Sequence, residues 1–95
     1  MQHSVIHKYF VDPSPDVQTL QVSAGSSIIS AVNEGGYIAV YVLKQNPNQP
    51  MVEDLKFLVV GTGWDITCSA NAKFISTVKV GEFVWHLFAV SELPF

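Results

Sequence analysis

The chain has 95 residues, 48% of them hydrophobic and 14% charged, which fits one globular domain and excludes both a second domain and a disordered chain. Eight carboxylates against five lysines, with no arginine, give a formal net charge of −3. The acidic balance and the lack of arginine argue against nucleic-acid and anionic-membrane partners. They also disfavour a nucleotide enzyme, because arginine is the residue that most often binds phosphate.

The N-terminal part of the chain predicts two strands. Residues 5–11 form the first, and the segment 12–16 ends it because its two prolines donate no ladder hydrogen bonds. Residues 17–22 form the second, in which Leu20 and Val22 alternate with a glutamine. This alternation predicts one buried and one solvated face.

A hairpin follows in the middle of the chain. The β-rich runs 26–32 and 37–43 are separated by the segment 33–36, which ends in two glycines that tolerate the positive φ of a tight turn. Run 37–43 is apolar on both faces, which is typical of a central strand. Residues 44–54, which contain two prolines, are predicted to form a mobile surface loop.

The C-terminal part predicts three more strands. Residues 55–60 form the fifth, and the stretch 68–72 is small and polar enough to be a loop, with a single turn of helix in 66–72 as the alternative. Residues 73–80 and 83–90 pair across Gly81-Glu82, a two-residue turn with glycine first, as a type II′ hairpin requires. Seven short, mostly antiparallel strands predict a single all-β domain over residues 1–95, an antiparallel meander folded into either a small barrel or a two-layer sandwich.

The last strand contains the most informative polar group of the chain, His86. Strand alternation places this ring between Val84 and Phe88 on one face, while Trp85 and Leu87 lie on the other, so both faces are apolar. The preferred interpretation is a packed histidine whose ring bonds one backbone carbonyl. The functional alternatives are a general base, a metal ligand or a hydrogen-bond donor to a ligand.

The remaining histidine and thiol chemistry is sparse. His7 shares a face with Tyr9 on the first strand and makes a conceivable metal pair with His86. Zinc requires three or four ligands, and no His or Cys spacing in this chain supports a preformed site, so we expect no metal and no cofactor. A nucleophile set of Cys68, His86 and Asp65 is not expected, because spacing in sequence says nothing about the geometry that catalysis needs.

A Gly-Thr-Gly segment, residues 61–63, invites comparison with phosphate-binding loops. It lacks the Gly-Lys-Ser/Thr of a P-loop and the third glycine of a dinucleotide fingerprint, so it predicts a turn that ends a strand. Next to it, Thr62, Trp64 and Asp65 are predicted to form the rim of a ligand site, in which the indole stacks on a flat group and the carboxylate accepts hydrogen bonds.

The chain has more aromatic residues than a domain of this size easily buries. Most of them are predicted to be core, and the excess predicts a homo-oligomer, since tyrosine and tryptophan often anchor interfaces. The set is Tyr9, Phe10, Tyr37, Tyr41, Phe57, Trp64, Phe74, Phe83, Trp85 and Phe88.

Cellular location is predicted from what the sequence lacks. The N-terminus has no basic region followed by an apolar stretch, so no signal peptide is expected, and the single cysteine forms no intramolecular disulfide. No apolar run reaches the roughly 18 to 20 residues of a membrane-spanning helix, so we expect a soluble, intracellular protein.

Four short motifs, in this order and spacing, resemble a family of small uncharacterised bacteriophage and prophage proteins. They are His7-Lys8-Tyr9, Gln18-Thr19-Leu20, Gly61-Thr62-Gly63 and Val84-Trp85-His86-Leu87-Phe88. Members of that family read Lys-Tyr, Gln-Thr-Ile, Gly-Thr-Gly-His and Val-Phe-His-Val-Phe, and the resemblance covers roughly residues 6–90. This chain departs from them at Trp64, where they commonly have histidine, and in its longer loop 44–54. The resemblance implies phage provenance and an all-β fold, without a particular reaction.

Three functions are compatible with this sequence. The favoured one is a non-catalytic binding protein in the cytoplasm of an infected bacterium, which binds a host protein or sequesters a small-molecule signal as a counter-defence. The first alternative is a virion or tail accessory protein. The second is a small hydrolase or metal enzyme built around His86.

Overall fold

The computed structural model describes residues 3–45, 50–66 and 71–91. These residues form β1 (Ser4–Val11), β2 (Ser14–Ser23), β3 (Ser27–Glu34), β4 (Tyr37–Gln45), β5 (Val52–Gly61), β6 (Asn71–Val80) and β7 (Phe83–Ser91). A three-stranded sheet has the order β1-β4-β3, a four-stranded sheet has the order β2-β5-β7-β6, and all neighbours are antiparallel. The all-β prediction is confirmed, and of the two architectures the described residues form the two-layer sandwich. The predicted meander is wrong, because β1 pairs with β4 and β2 pairs with β5 instead of with each other.

The core lies between the two sheets. Val40 and Val42 of β4 face Phe57 and Val59 of β5, and these side chains, with Leu87 of β7, are the largest that are fully buried. Each such side chain contributes about 1.5–3 kcal/mol through burial. Residues that alternate with these core positions point to the opposite face of their sheet.

A second, smaller apolar cluster lies on the outer face of the four-stranded sheet. Leu58 and Val60 of β5 and Val90 of β7 are buried there, and Phe88 packs against them. β7 therefore has apolar contacts on both faces, and it lies between β5 and β6, as predicted for a central strand. β4 likewise lies in the middle of its sheet, which confirms the second central-strand prediction.

Both predicted hairpins are present. β3 and β4 pair up to Glu34 and Tyr37 across Gly35 and Gly36, whose φ angles are 63° and 87°. β6 and β7 are joined through Gly81, which has a φ of 60°. These positive φ values explain why glycine occupies the turns.

The two sides of the sandwich differ. On one side β3 lies against β6, where the Ser76 hydroxyl donates to the Ala31 carbonyl (2.9 Å) and the Asn33 amide donates to the Lys79 carbonyl (3.0 Å). On the other side β1 and β2 belong to different sheets and are joined through Asp12 and Pro13, and the Gln18 amide of β2 donates to the Asp12 carbonyl (2.7 Å). Hydrogen bonds between the two sheets therefore cross-link the β3–β6 side of the sandwich.

Three predicted loop boundaries are wrong. Within 12–16, residues from Ser14 onward belong to β2, because an edge strand with an irregular register tolerates proline. Within 44–54, β4 continues to Gln45 and β5 begins at Val52; residues 46–49 lie outside the described residues. Within 68–72, Asn71 and Ala72 pair with β7 as part of β6, and Cys68 is outside the described residues.

Candidate functional site

A cleft of about 280 Å³ opens at the end of the four-stranded sheet where β5 stops and the β6–β7 hairpin turns. We call it the tryptophan cleft. Its lining consists of Gly61, Thr62, Trp64, Glu82, Phe83, Val84 and Trp85. The wall is thus built by the last residue of β5, the turn that follows it, and the start of β7.

The turn after β5 brings Trp64 back over the sheet. The Trp64 amide donates to the Gly61 carbonyl (3.1 Å), the Thr62 amide donates to the Val84 carbonyl (3.3 Å), and Gly63 has a φ of 89°. Gly61 leaves room for both indoles, because a Cβ at this position would lie 2.8 Å from Trp64 Nε1 and 3.0 Å from Trp85 Cζ3. Glycine at position 61 is therefore what allows the two indoles to meet.

Three aromatic rings form a continuous row along the cleft. Trp64 meets Trp85 edge to face with ring centroids 5.6 Å apart, and Phe83 stacks on Trp85 at 5.9 Å with an interplanar angle of 17°. Trp85 packs against the core, whereas Trp64 is 42% exposed and Phe83 64% exposed. Exposed rings held in fixed orientation suit stacking on a flat group or on a cation.

The charge of the cleft is negative. Glu82 is the charged residue among the described lining residues, which include no lysine. A phosphate group would find no positive partner in this wall. The cleft instead favours a neutral or cationic group.

His86 lies on the outer face of the same sheet, next to the cleft. Its Nε2 atom is 2.7 Å from the Thr62 hydroxyl and its Nδ1 atom is 3.0 Å from the Thr77 hydroxyl. The predicted bond to a backbone carbonyl is therefore wrong. The backbone of β7 is used in ladders with both neighbouring strands, and Thr77 is the cross-strand partner of His86, so a hydroxyl is the acceptor or donor within reach.

A family model described as a domain of unknown function, DUF7352, matches residues 2–94. The chain belongs to the DUF7352 family. No curated protein and no solved structure matches it. In the described part of this DUF7352 domain, no helix has the length and apolar character needed to cross a membrane.

The structure brings together three of the six predicted site residues of the DUF7352 domain. Thr62 and Trp64 line the cleft, and His86 contacts Thr62. Asp65 is exposed and adjacent in sequence, but it is not part of the lining. The acidic residue in the lining is Glu82, which comes from the β6–β7 turn.

His7 and Tyr9 lie elsewhere, on β1 of the three-stranded sheet. The Tyr9 hydroxyl accepts a hydrogen bond from the Lys44 ammonium, which lies 5.0 Å from the centroid of the Tyr9 ring. His86 points away from that sheet, because its neighbours Trp85 and Leu87 face the core. The conceivable His7 and His86 metal pair is therefore not formed.

No metal cluster is present among the described residues, where no group of three or more His, Cys, Asp or Glu side chains is placed to hold an ion. The nucleophile set that includes Cys68 lies partly outside the described residues. Sequence reasoning missed Phe83 and Trp85 as site residues because strand alternation assigns both to the core face. The available signal was Gly61, since a glycine at the end of an apolar strand marks a close approach of other groups.

Proposed function

We propose that this DUF7352 domain is a non-catalytic binding protein that holds one flat, cationic group of a partner in the tryptophan cleft. The observation that carries the proposal is the exposure of Trp64 and Phe83 on either side of Trp85, beside the Glu82 carboxylate. Stacking on aromatic faces and attraction to a carboxylate together select guanidinium and ammonium groups.

The size of the cleft favours a side chain over a large ligand. Pockets for drug-sized molecules span roughly 300–1,000 Å³. A cleft of about 280 Å³ is at the lower limit of that range and accommodates one arginine or lysine side chain. A nucleotide signal is a poorer match, since its phosphates would meet Glu82 and no lysine in the lining.

The proposed partner is a basic surface on a protein of an infected bacterium. The resemblance to bacteriophage and prophage proteins supports a phage origin and action in the host cytoplasm, with counter-defence as the proposed purpose. The net charge of −3 supports a basic partner, because opposite charges speed association. Recovery of the protein with purified virions would favour an accessory role instead.

One observation favours a second candidate, a hydrolase that uses His86. The Thr62 hydroxyl lies 2.7 Å from His86 Nε2, and Thr77 fixes the other side of the ring, as in a nucleophile, base and orienting group. Two features weaken this candidate. The orienting group is a neutral hydroxyl, and the Thr62 amide donates to the Val84 carbonyl, so it does not serve as an oxyanion donor.

The binding proposal is tested by titrating the full chain with N-acetyl-arginine methylamide and following tryptophan fluorescence and the indole N–H signals in NMR spectra. We expect saturable, millimolar binding that weakens in Phe83→Ala and in Glu82→Gln. Tyr37→Ala is the matched control, since Tyr37 is 66% exposed, as Phe83 is 64% exposed, but lies outside the cleft lining. Equal responses of Phe83→Ala and the control would overturn the proposal.

The hydrolase candidate has its own test, turnover of a panel of p-nitrophenyl esters. Turnover lost in both Thr62→Val and His86→Gln would establish it. Turnover no faster than that of free imidazole at the same concentration would exclude it.

A further inference from the structure

The four edge strands of the sandwich are not equivalent. β2 has a register shift between Ser14 and Gln18, β3 between Ile28 and Ser30, and β6 between Phe74 and Ser76. β1 pairs with β4 without any shift, from Ser4 opposite Gln45 to Val11 opposite Ile38. β1 is therefore the one described edge strand that is regular over its whole length.

Irregular edges resist the addition of another strand. A β-bulge bends and twists the edge away from a partner, and proline removes a donor. β2 has both an irregular register and a proline, since Pro15 lies inside its register shift. β3 and β6 have a bulge each, and they also lie against one another across the cross-linked side of the sandwich.

β1 lies at the opposite edge of its sheet from β3 and has neither a register shift nor a proline. It has eight residues without proline, and no described strand pairs with its outer edge. A regular edge of this length offers a row of backbone donors and acceptors to an incoming strand.

We propose that a second copy of this chain pairs antiparallel with β1, so that the two three-stranded sheets join into one sheet of six strands about a twofold axis. The strand is complementary to itself. With Lys8 opposite the partner's Lys8, Ile6 meets the partner's Phe10 and Val5 meets the partner's Val11. Antiparallel pairing keeps these pairs on the same face of the sheet, and apolar cross-strand pairs stabilise it.

The exposure and charge of the β1 side chains support a second copy of this chain as the partner. Ile6 is 54% exposed and Phe10 56% exposed in the single chain, and both would gain an apolar neighbour. β1 contains no carboxylate, so two copies meet without acidic repulsion. Each Lys8 already forms an ion pair with Glu34 of its own chain, and this carboxylate offsets part of the repulsion between the two lysines that meet at the axis.

The test is sedimentation equilibrium of the full chain over a range of concentrations. We expect a species of twice the 10.4 kDa chain mass, and Ile6→Lys should weaken dimerisation by at least about tenfold, since it sets a desolvated charge against an apolar neighbour. Ile29→Lys is the matched control. Ile29 is 47% exposed and belongs to β3, at the opposite edge of the same sheet, so this variant should remain dimeric.

Amide hydrogen exchange locates the interface independently of the variants. In the dimer, alternate amides of β1 should become protected as the concentration rises, because only every second N–H points away from β4. A chain that stays monomeric at millimolar concentration would overturn the proposal. So would a dimer in which Ile6→Lys has no effect or β1 amides gain no protection.

The interface and the tryptophan cleft belong to different sheets. Phe83→Ala should leave the dimer intact, and Ile6→Lys should leave arginine-probe binding intact. Failure of one proposal is therefore distinguishable from failure of the other.

Discussion

The Thr62 hydroxyl lies 2.7 Å from Nε2 of His86, and this hydrogen bond joins the turn after β5 to the middle of β7. A hydroxyl donates or accepts, so either neutral tautomer of the ring is satisfied by this threonine and by Thr77 on the other side. Thr62 also lines the tryptophan cleft, so one side chain connects the cleft to the histidine.

Thr62→Val should lower the free energy of unfolding by about 0.5–1.5 kcal/mol, because valine keeps the shape of threonine and removes its hydrogen bond to the ring. Urea denaturation measures the change. Thr19→Val on the exposed face of β2 is the control and should be near neutral. An unchanged midpoint in Thr62→Val would mean that water replaces the hydroxyl without cost.

Gly61→Ala should destabilise the fold by about 1–3 kcal/mol, because the added methyl group overpacks a filled space. The new Cβ would lie 2.8 Å from Trp64 Nε1, so the indole must move. The cost should be smaller in a Trp64→Ala background, since most of the clash is then absent. A double-mutant cycle measures this coupling, and additive effects would contradict the proposed close approach.

The contacts of Glu34 predict a pH dependence of stability. Its carboxylate accepts hydrogen bonds from the Lys8 ammonium and from the Tyr41 hydroxyl (2.7 Å). These bonds hold the pKa of Glu34 below its ordinary value, and the bond from Lys8 has the larger effect. A lowered carboxyl pKa gives stability that is present above the ordinary glutamate pKa and is lost as the pH falls through the folded-state pKa.

Between about pH 6 and about pH 3, the Tm of the wild type should therefore fall more than that of Glu34→Gln. The difference should shrink in high salt, which screens exposed charges. Asp16→Asn, at an exposed position of β2, serves as the control and should follow the wild type. Parallel curves for Glu34→Gln and the wild type would contradict the prediction.

Gly81→Ala should cost about 1–2 kcal/mol, since the φ of 60° at this turn places the alanine Cβ close to the following carbonyl oxygen. Thermal unfolding checks it, with Glu82→Ala as the neighbouring control at near-neutral cost. If alanine is tolerated without loss, the β6–β7 turn has a different backbone geometry.

The strands and hairpins were predictable because their signals are local. Gly35 and Gly36, Gly81, and the apolar faces of β4 and β7 are each sufficient within a short window. The order β2-β5-β7-β6 was not predictable, because it depends on pairings between strands far apart in sequence. The start of β2 was also predicted wrongly, because this edge strand contains Pro15 and a proline normally indicates a break.

The site was predictable in part for the same reason. Thr62 and Trp64 follow a strand-ending glycine, and His86 is the only titratable group on its strand, so these residues stood out. Phe83 and Trp85 did not, because alternation assigns both to the buried face, yet Phe83 lies at the first position of β7 and is 64% exposed. That His7 lies on a different sheet from His86 was not predictable, because a sequence does not tell which sheet a strand joins.

The direction of the chain through the sandwich has a practical consequence. A small cavity lined by Val11, Gly36, Val80 and Trp85 shows that the end of β1 and both hairpin turns lie at the end of the molecule that holds the cleft. The first residue of β1, Ser4, and the last residue of β7, Ser91, accordingly lie at the far end. A tether placed before Ser4 or after Ser91 would present the aromatic row outward, so surface immobilisation through either attachment point suits direct measurement of partner binding.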